Sequence, residues 1–162
     1  MTMNMFTGPV IVAVVVALVL TAGGGLLTEV GPWYRELQKP RLQPPDWLFG
    51  PVWTVVLGLA AASFVLSWDQ AGSAGRWLLG GLFAANAVLH FLWSPLFFKW
   101  KRPDLALIEV PLLWLSILAL MIVTAPYSAT ASWLLLPYLL WVAFAVYLNF
   151  AIVRLNGPFR QV

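Results

Sequence analysis

VPLLWLSILALMIVTAPYSATASWLLLPYLLWVAFAVYLNFAIV, residues 110–153, runs for 44 residues without a formal charge. As one helix it would extend about 66 Å, roughly twice the hydrocarbon thickness of a bilayer. It must therefore fold back, and TAPYSATAS, residues 124–132, has the proline and small polar residues of a turn. Two spans result, at about 104–124 and 132–155. Upstream, Trp77–Phe98 is uncharged between Arg76 and Lys99, and Trp47–Trp68 is uncharged between Asp46 and Asp69. Residues 1–28 also lack charge, with their densest apolar part at Val10–Leu27. Each stretch meets the requirement of about 20 apolar residues for one crossing. The expected fold is an all-α integral membrane protein, a single domain over 1–162. Its five helices lie near 5–27, 47–67, 77–98, 104–124 and 132–155, with a structured loop at 28–46. The first stretch has no basic segment before its apolar core, so a retained helix is expected rather than a cleaved signal peptide.

Composition agrees with lipid as the solvent. Of the 162 residues, 62 % are hydrophobic and 9 % charged, against roughly 25 % charged in a soluble domain. The net charge of +3 does not indicate nucleic acid, because the nine basic residues form no aromatic-interleaved basic face. Without cysteine there is no disulfide, thiolate metal site or thiol nucleophile, and one histidine excludes a multi-histidine metal site within the chain.

The basic residues are asymmetric. Arg35, Lys39, Arg41, Lys99, Lys101, Arg102, Arg154 and Arg160 fall on the C-terminal side of the five spans, and only Arg76 on the other. The positive-inside rule then puts the C-terminus in the cytoplasm and the N-terminus outside. That makes WYRELQKPRLQPPDW, residues 33–47, a long cytoplasmic loop stiffened by three prolines.

Few polar groups enter the spans. Asn86 and His90 are one turn apart on the third span, with Trp93 and Phe97 continuing that face. Glu109 reads either as a helix-start acid favoured by the macrodipole or as a carboxylate facing a wet or ligand-filled cavity. His90 reads as an interhelical hydrogen-bonding group, a ligand contact, or an axial ligand to a porphyrin metal. Among ten tryptophans, Trp68, Trp77, Trp100 and Trp133 sit at span ends as interfacial anchors. Trp53, Trp93, Trp114 and Trp141 lie within spans, where core packing competes with an aromatic pocket for a flat ligand. Gly23–Gly25 narrow the first span, and Gly58/Ala62, Gly80/Ala84 and Gly81/Ala85 are small-residue packing pairs. Prolines at 51, 95, 111 and 137 predict kinks and freed carbonyls.

The order of motifs resembles the translocator protein family, also called the tryptophan-rich sensory proteins or peripheral benzodiazepine receptors. WYRELQKPRLQPP is similar to the family's W-Y-x-x-L-x-K-P-x-x-x-P-P. It is followed by VWT at 52–54, FLWSPLFF at 91–98 and LPYLLWVAFAVYLN at 136–149. The resemblance implies a five-helix bundle, usually homodimeric, that binds porphyrins, sterols and isoquinoline or benzodiazepine ligands beneath a lid formed by the first loop. It carries ligand contacts to Tyr34, Pro44, Phe49, Trp53, Asn86, His90, Trp93, Glu109, Trp141 and Ala145. Trp53 and Trp141 match tryptophans linked in a bacterial member to light-dependent porphyrin breakdown. His90 stands where members usually have asparagine, and Glu109 where many have aspartate. The sterol motif near the end of the fifth span departs from the pattern: Leu148 and Arg154 fit, but Phe150 replaces its tyrosine.

The expected function is that of a membrane receptor or sensor for tetrapyrroles, with porphyrin or haem as ligand, no obligatory cofactor and no protein-held metal. Photo-oxidative porphyrin degradation at Trp53 and Trp141 is the enzyme-like alternative. The other is a facilitator of porphyrin or sterol movement, although five spans with no inverted repeat make a poor pump. Expected partners are the bilayer and a second copy of the chain, in a bacterial inner membrane. An unperturbed histidine titrates near 6.5, so His90 also raises the expectation of pH-dependent binding.

Overall fold

Backbone N–H and C=O groups have no water to bond in hydrocarbon, so uncharged stretches of this length close their hydrogen bonds internally as helices. The computed structural model describes residues 8–159 and holds five helices long and apolar enough to cross a membrane. Helix α1 is Gly8–Leu27, α2 is a short turn at Pro32–Glu36, α3 is Asp46–Gln70 and α4 is Ser73–Ser94. After a π-helical turn at Pro95–Lys99 come α5 (Pro103–Thr124), α6 (Ala129–Leu134) and α7 (Leu136–Asn156). The expected start of the first span near residue 5 lies outside the described residues.

The four prolines act in two ways. Pro51 and Pro111 stay inside continuous helices. Pro95, lacking an N–H, opens a wider turn in which the Trp100 N–H reaches back to the Pro95 carbonyl at 2.9 Å. Such π-turns recur at functional sites. Pro137 divides the fifth span: the ring cannot donate to a carbonyl one turn earlier. The chain instead breaks at Leu135, between α6 and α7. The turn expected at 124–132 is tighter than its sequence range. α6 already starts at Ala129, with the Ser128 hydroxyl accepting from the Ala131 N–H at 3.1 Å, a cap worth about 1 kcal/mol.

α5 is the central helix, packed against both α4 and α7, while α1 leans mainly on α3. The core joins Leu57 of α3, Val110, Leu113, Ile117 and Leu120 of α5, and Tyr138 and Val142 of α7. Around it the surface is apolar: Leu18, Ile108, Ile122 and Leu140 are all more than 60 % exposed. Such a surface suits lipid and not water. Lipid tails are as apolar as leucine, so packing and buried polar bonds must hold the bundle together. Asn149 provides two of these bonds, donating from Nδ2 to the Pro103 carbonyl (2.8 Å) and accepting at Oδ1 from Trp93 Nε1 (3.1 Å). One α7 side chain thereby ties α4 and α5 together.

Candidate functional site

Residues 28–45 join α1 to α3 and fold back over one end of the bundle. Tyr34 is the buried anchor of this lid. Its hydroxyl donates to Asp46 Oδ1 (3.2 Å) and accepts from Gln43 Nε2 (2.9 Å). Its ring packs on Phe98 and Phe97, with centroids 5.4 and 6.4 Å away. Lys39 Nζ lies 4.2 Å from the ring centroid, a cation–π contact. Burial, and then the Asp46 carboxylate, hold the Tyr34 phenol well above its ordinary range, so it stays protonated. Arg35, Glu36 and Arg41 face outward. At the far side, Asn156 clasps the lid: its Oδ1 accepts from the Gln38 N–H (2.7 Å) and its Nδ2 donates to the Gln38 carbonyl (2.8 Å).

Beneath the lid lies a cavity of about 210 Å³ whose walls include Phe49, Trp53, His90, Trp93, Phe98 and Ala145. A smaller cavity of about 70 Å³ shares Phe49, Trp53, Trp93 and Ala145 and reaches Tyr34. The two adjoin, and together they fall short of the roughly 300–1,000 Å³ of a drug-sized ligand site. A larger guest therefore requires the lid to lift. Gly24 and Gly25 of α1 form part of the wall, where side chains would narrow it. Gly23 instead meets Phe91, whose ring would lie 2.8 Å from an added Cβ.

The expected ligand contacts thus separate into groups. Tyr34, Phe49, Trp53, His90, Trp93 and Ala145 line the two cavities. Pro44 is half-buried in the lid and lines neither. Trp141 touches Trp53 edge-on, at 6.1 Å between centroids. It lines an outer groove with Pro51, Val55 and Leu140 instead. Asn86 stands behind His90 and borders a separate apolar crevice of about 440 Å³ between α1, α3 and α4. Glu109 is buried, and neither carboxylate oxygen has a hydrogen-bond partner among the described residues.

Sequence reasoning passed over Asp46, Phe98 and Tyr138. Asp46 and Phe98 line the cavity. The Tyr138 hydroxyl lies 3.2 Å from His90 Nδ1 and 3.4 Å from Asn86 Oδ1. A tyrosine in a span, needing a partner for its hydroxyl, was the available signal. The described residues hold no group of three or more His, Cys, Asp or Glu side chains able to bind a metal ion.

Comparison with known proteins follows the same lines. The sequence model of the TspO/MBR family matches residues 11–155. The tryptophan-rich protein TspO of Chlorobaculum tepidum is 40 % identical, over 83 % of this chain and 87 % of that protein. The tryptophan-rich sensory protein of Cereibacter sphaeroides is 36 % identical over 82 % of each. The human translocator protein is 32 % identical over 79 % of this chain and 77 % of its own length. With a match across nearly all of the membrane bundle, the chain is an integral membrane protein that belongs to the TspO/MBR family.

Proposed function

We propose that this protein is a membrane receptor or sensor that binds tetrapyrroles, such as protoporphyrin IX or haem, and other flat apolar ligands. The supporting observation is the cavity under the lid, with its Phe49, Trp53, Trp93 and Phe98 rings and few polar groups. Aromatic pairs contribute about 0.5–1.5 kcal/mol each beyond burial. The basic residues Arg35, Lys39 and Arg41 border that lid and suit propionates. The name of the Cereibacter relative, a sensory protein, agrees with this reading. The test is quenching of tryptophan fluorescence by protoporphyrin IX. Trp53→Phe combined with Trp141→Phe is expected to weaken both affinity and quenching, and unchanged values would reject the pocket.

A second reading, light-dependent porphyrin degradation, is favoured by the contact between Trp53 and Trp141, which sets two oxidisable indoles side by side. Product formed in the light with oxygen, absent in the dark and lost in the double variant, supports it. Transport is the third reading, in keeping with the name of the human relative, and porphyrin flux into proteoliposomes tests it. The eight-to-one distribution of basic residues supports a bacterial inner-membrane protein with its C-terminus in the cytoplasm. The exposed Gly81, Ala84 and Ala85 on α4 supply a small-residue face for a homodimer.

A further inference from the structure

The crevice between α1, α3 and α4, of about 440 Å³, has about twice the volume of the lid cavity. It lies towards the opposite end of the bundle. Small side chains normally let helix backbones close up. Here Ala13, Ala17, Ala60, Ala61, Gly80 and Ala84 leave an open slot between the three helices instead. Along α3 the slot extends from Leu57 to Trp68, a rise of about 16 Å. That is one leaflet of a hydrocarbon layer about 30 Å thick. Val12 and Val16 on its α1 edge are 54 % and 40 % exposed, so the slot opens sideways into lipid. Apart from the Trp68 indole, Asn86 is the only polar side chain on its walls. Both ends of that amide are engaged, Nδ2 donating to Ser116 Oγ (2.8 Å) and Oδ1 accepting from the Tyr138 hydroxyl (3.4 Å). The interior therefore suits hydrocarbon and offers little to a polar guest.

A cation stands at the outer end. Arg76 Nε donates to the Trp68 carbonyl (3.2 Å), and the guanidinium lies 5.7 Å from the Trp68 ring. Trp68 in turn packs on Phe64, and Gly80 leaves room for its ring. These contacts hold the guanidinium beside the mouth of the slot. Arg76 is exposed and has no carboxylate partner among the described residues, so its remaining N–H donors are free for an anion. Asp69 is the other charged side chain in the sequence at this end, which suits a headgroup carrying an ammonium as well as a phosphate. We propose that the crevice is a binding site for a glycerophospholipid of the leaflet opposite the lid, with one acyl chain in the slot and the phosphate on Arg76. Nothing in this site depends on what the lid cavity binds.

The test uses the full-length protein, delipidated in detergent and titrated with a phosphatidylethanolamine that carries a photoreactive diazirine in one acyl chain. Native mass spectrometry reads lipids retained per chain, and peptide mapping after irradiation locates the attachment. Wild type is expected to retain one lipid per chain, attached within 12–20, 57–68 and 80–87. Arg76→Gln should weaken retention about fivefold, whereas Lys99→Gln, at the lid end, should not change it. Ala61→Phe, which fills the slot from α3, should lose the retained lipid. Ala17→Phe does the same from α1, so a folding defect in one variant leaves the other to decide. Attachment spread evenly over the exposed faces of α5 and α7, or retention unchanged in Arg76→Gln and in the filling variants, overturns the site. Lipid-free dimers that Ala61→Phe splits into monomers would assign the crevice to a second copy of the chain and overturn it equally.

Discussion

Asn156, the last residue of α7, grips the backbone of Gln38 in the lid through both ends of its amide, at 2.7 and 2.8 Å. The residues are 118 positions apart, and the contact joins the first loop to the end of the last helix. A cavity too small for a large guest lies beneath that clasp, so releasing it should be part of ligand access.

Asn156→Ala removes both bonds. At about 1 kcal/mol for a typical hydrogen bond, the closed lid should become roughly five- to thirtyfold less favoured. Limited trypsin digestion checks this, with faster cleavage after Arg35 and Arg41 and an intact bundle.

Raising the pH should open the lid from the other side. The Tyr34 phenol has its folded pKa above the ordinary 10.0, through burial and then Asp46. Its contribution is fully present below pH about 10 and is lost as the pH rises beyond that. Trypsin susceptibility of the lid should be flat from pH about 8 to about 9.5 and then increase. Tyr34→Phe, which cannot ionise, should abolish the increase.

Asn149 ties Trp93 to Pro103 across three helices. Replacement by alanine leaves a buried indole N–H and a carbonyl without this partner. The expected loss is about 1–2 kcal/mol, read as a lower unfolding midpoint in detergent.

Glu109 should respond in the opposite sense. Its buried carboxylate has no partner among the described residues, and an unsatisfied buried polar group costs about 1–3 kcal/mol. Glu109→Leu is therefore expected to raise the unfolding midpoint. A fall would mean that the carboxylate has a partner in the membrane-embedded protein, a bound ligand or water being the first to examine.

Much of this protein is determined by its sequence alone. Charge placement sets the number of crossings, because a charged side chain is costly at the bilayer centre while twenty apolar residues are enough to cross it. Prolines punctuate the lid and four of the spans, but which of them interrupt a helix, Pro95 and Pro137 and not Pro51 or Pro111, is decided by the tertiary structure. Helical periodicity puts Asn86, His90 and Trp93 on one face, but it cannot say how far a cavity extends along that face. The tertiary structure decides this through Tyr138 of α7, whose hydroxyl bonds both Asn86 and His90. His90 lines the cavity under the lid, while Asn86 borders the crevice between α1, α3 and α4. Trp53 and Trp141 likewise look equivalent as tryptophans within spans. Packing of α3 against α7 turns one towards the lid cavity and the other to an outer groove. Both outcomes depend on which neighbouring helix fills the adjacent space, and residue spacing within one helix carries no record of that.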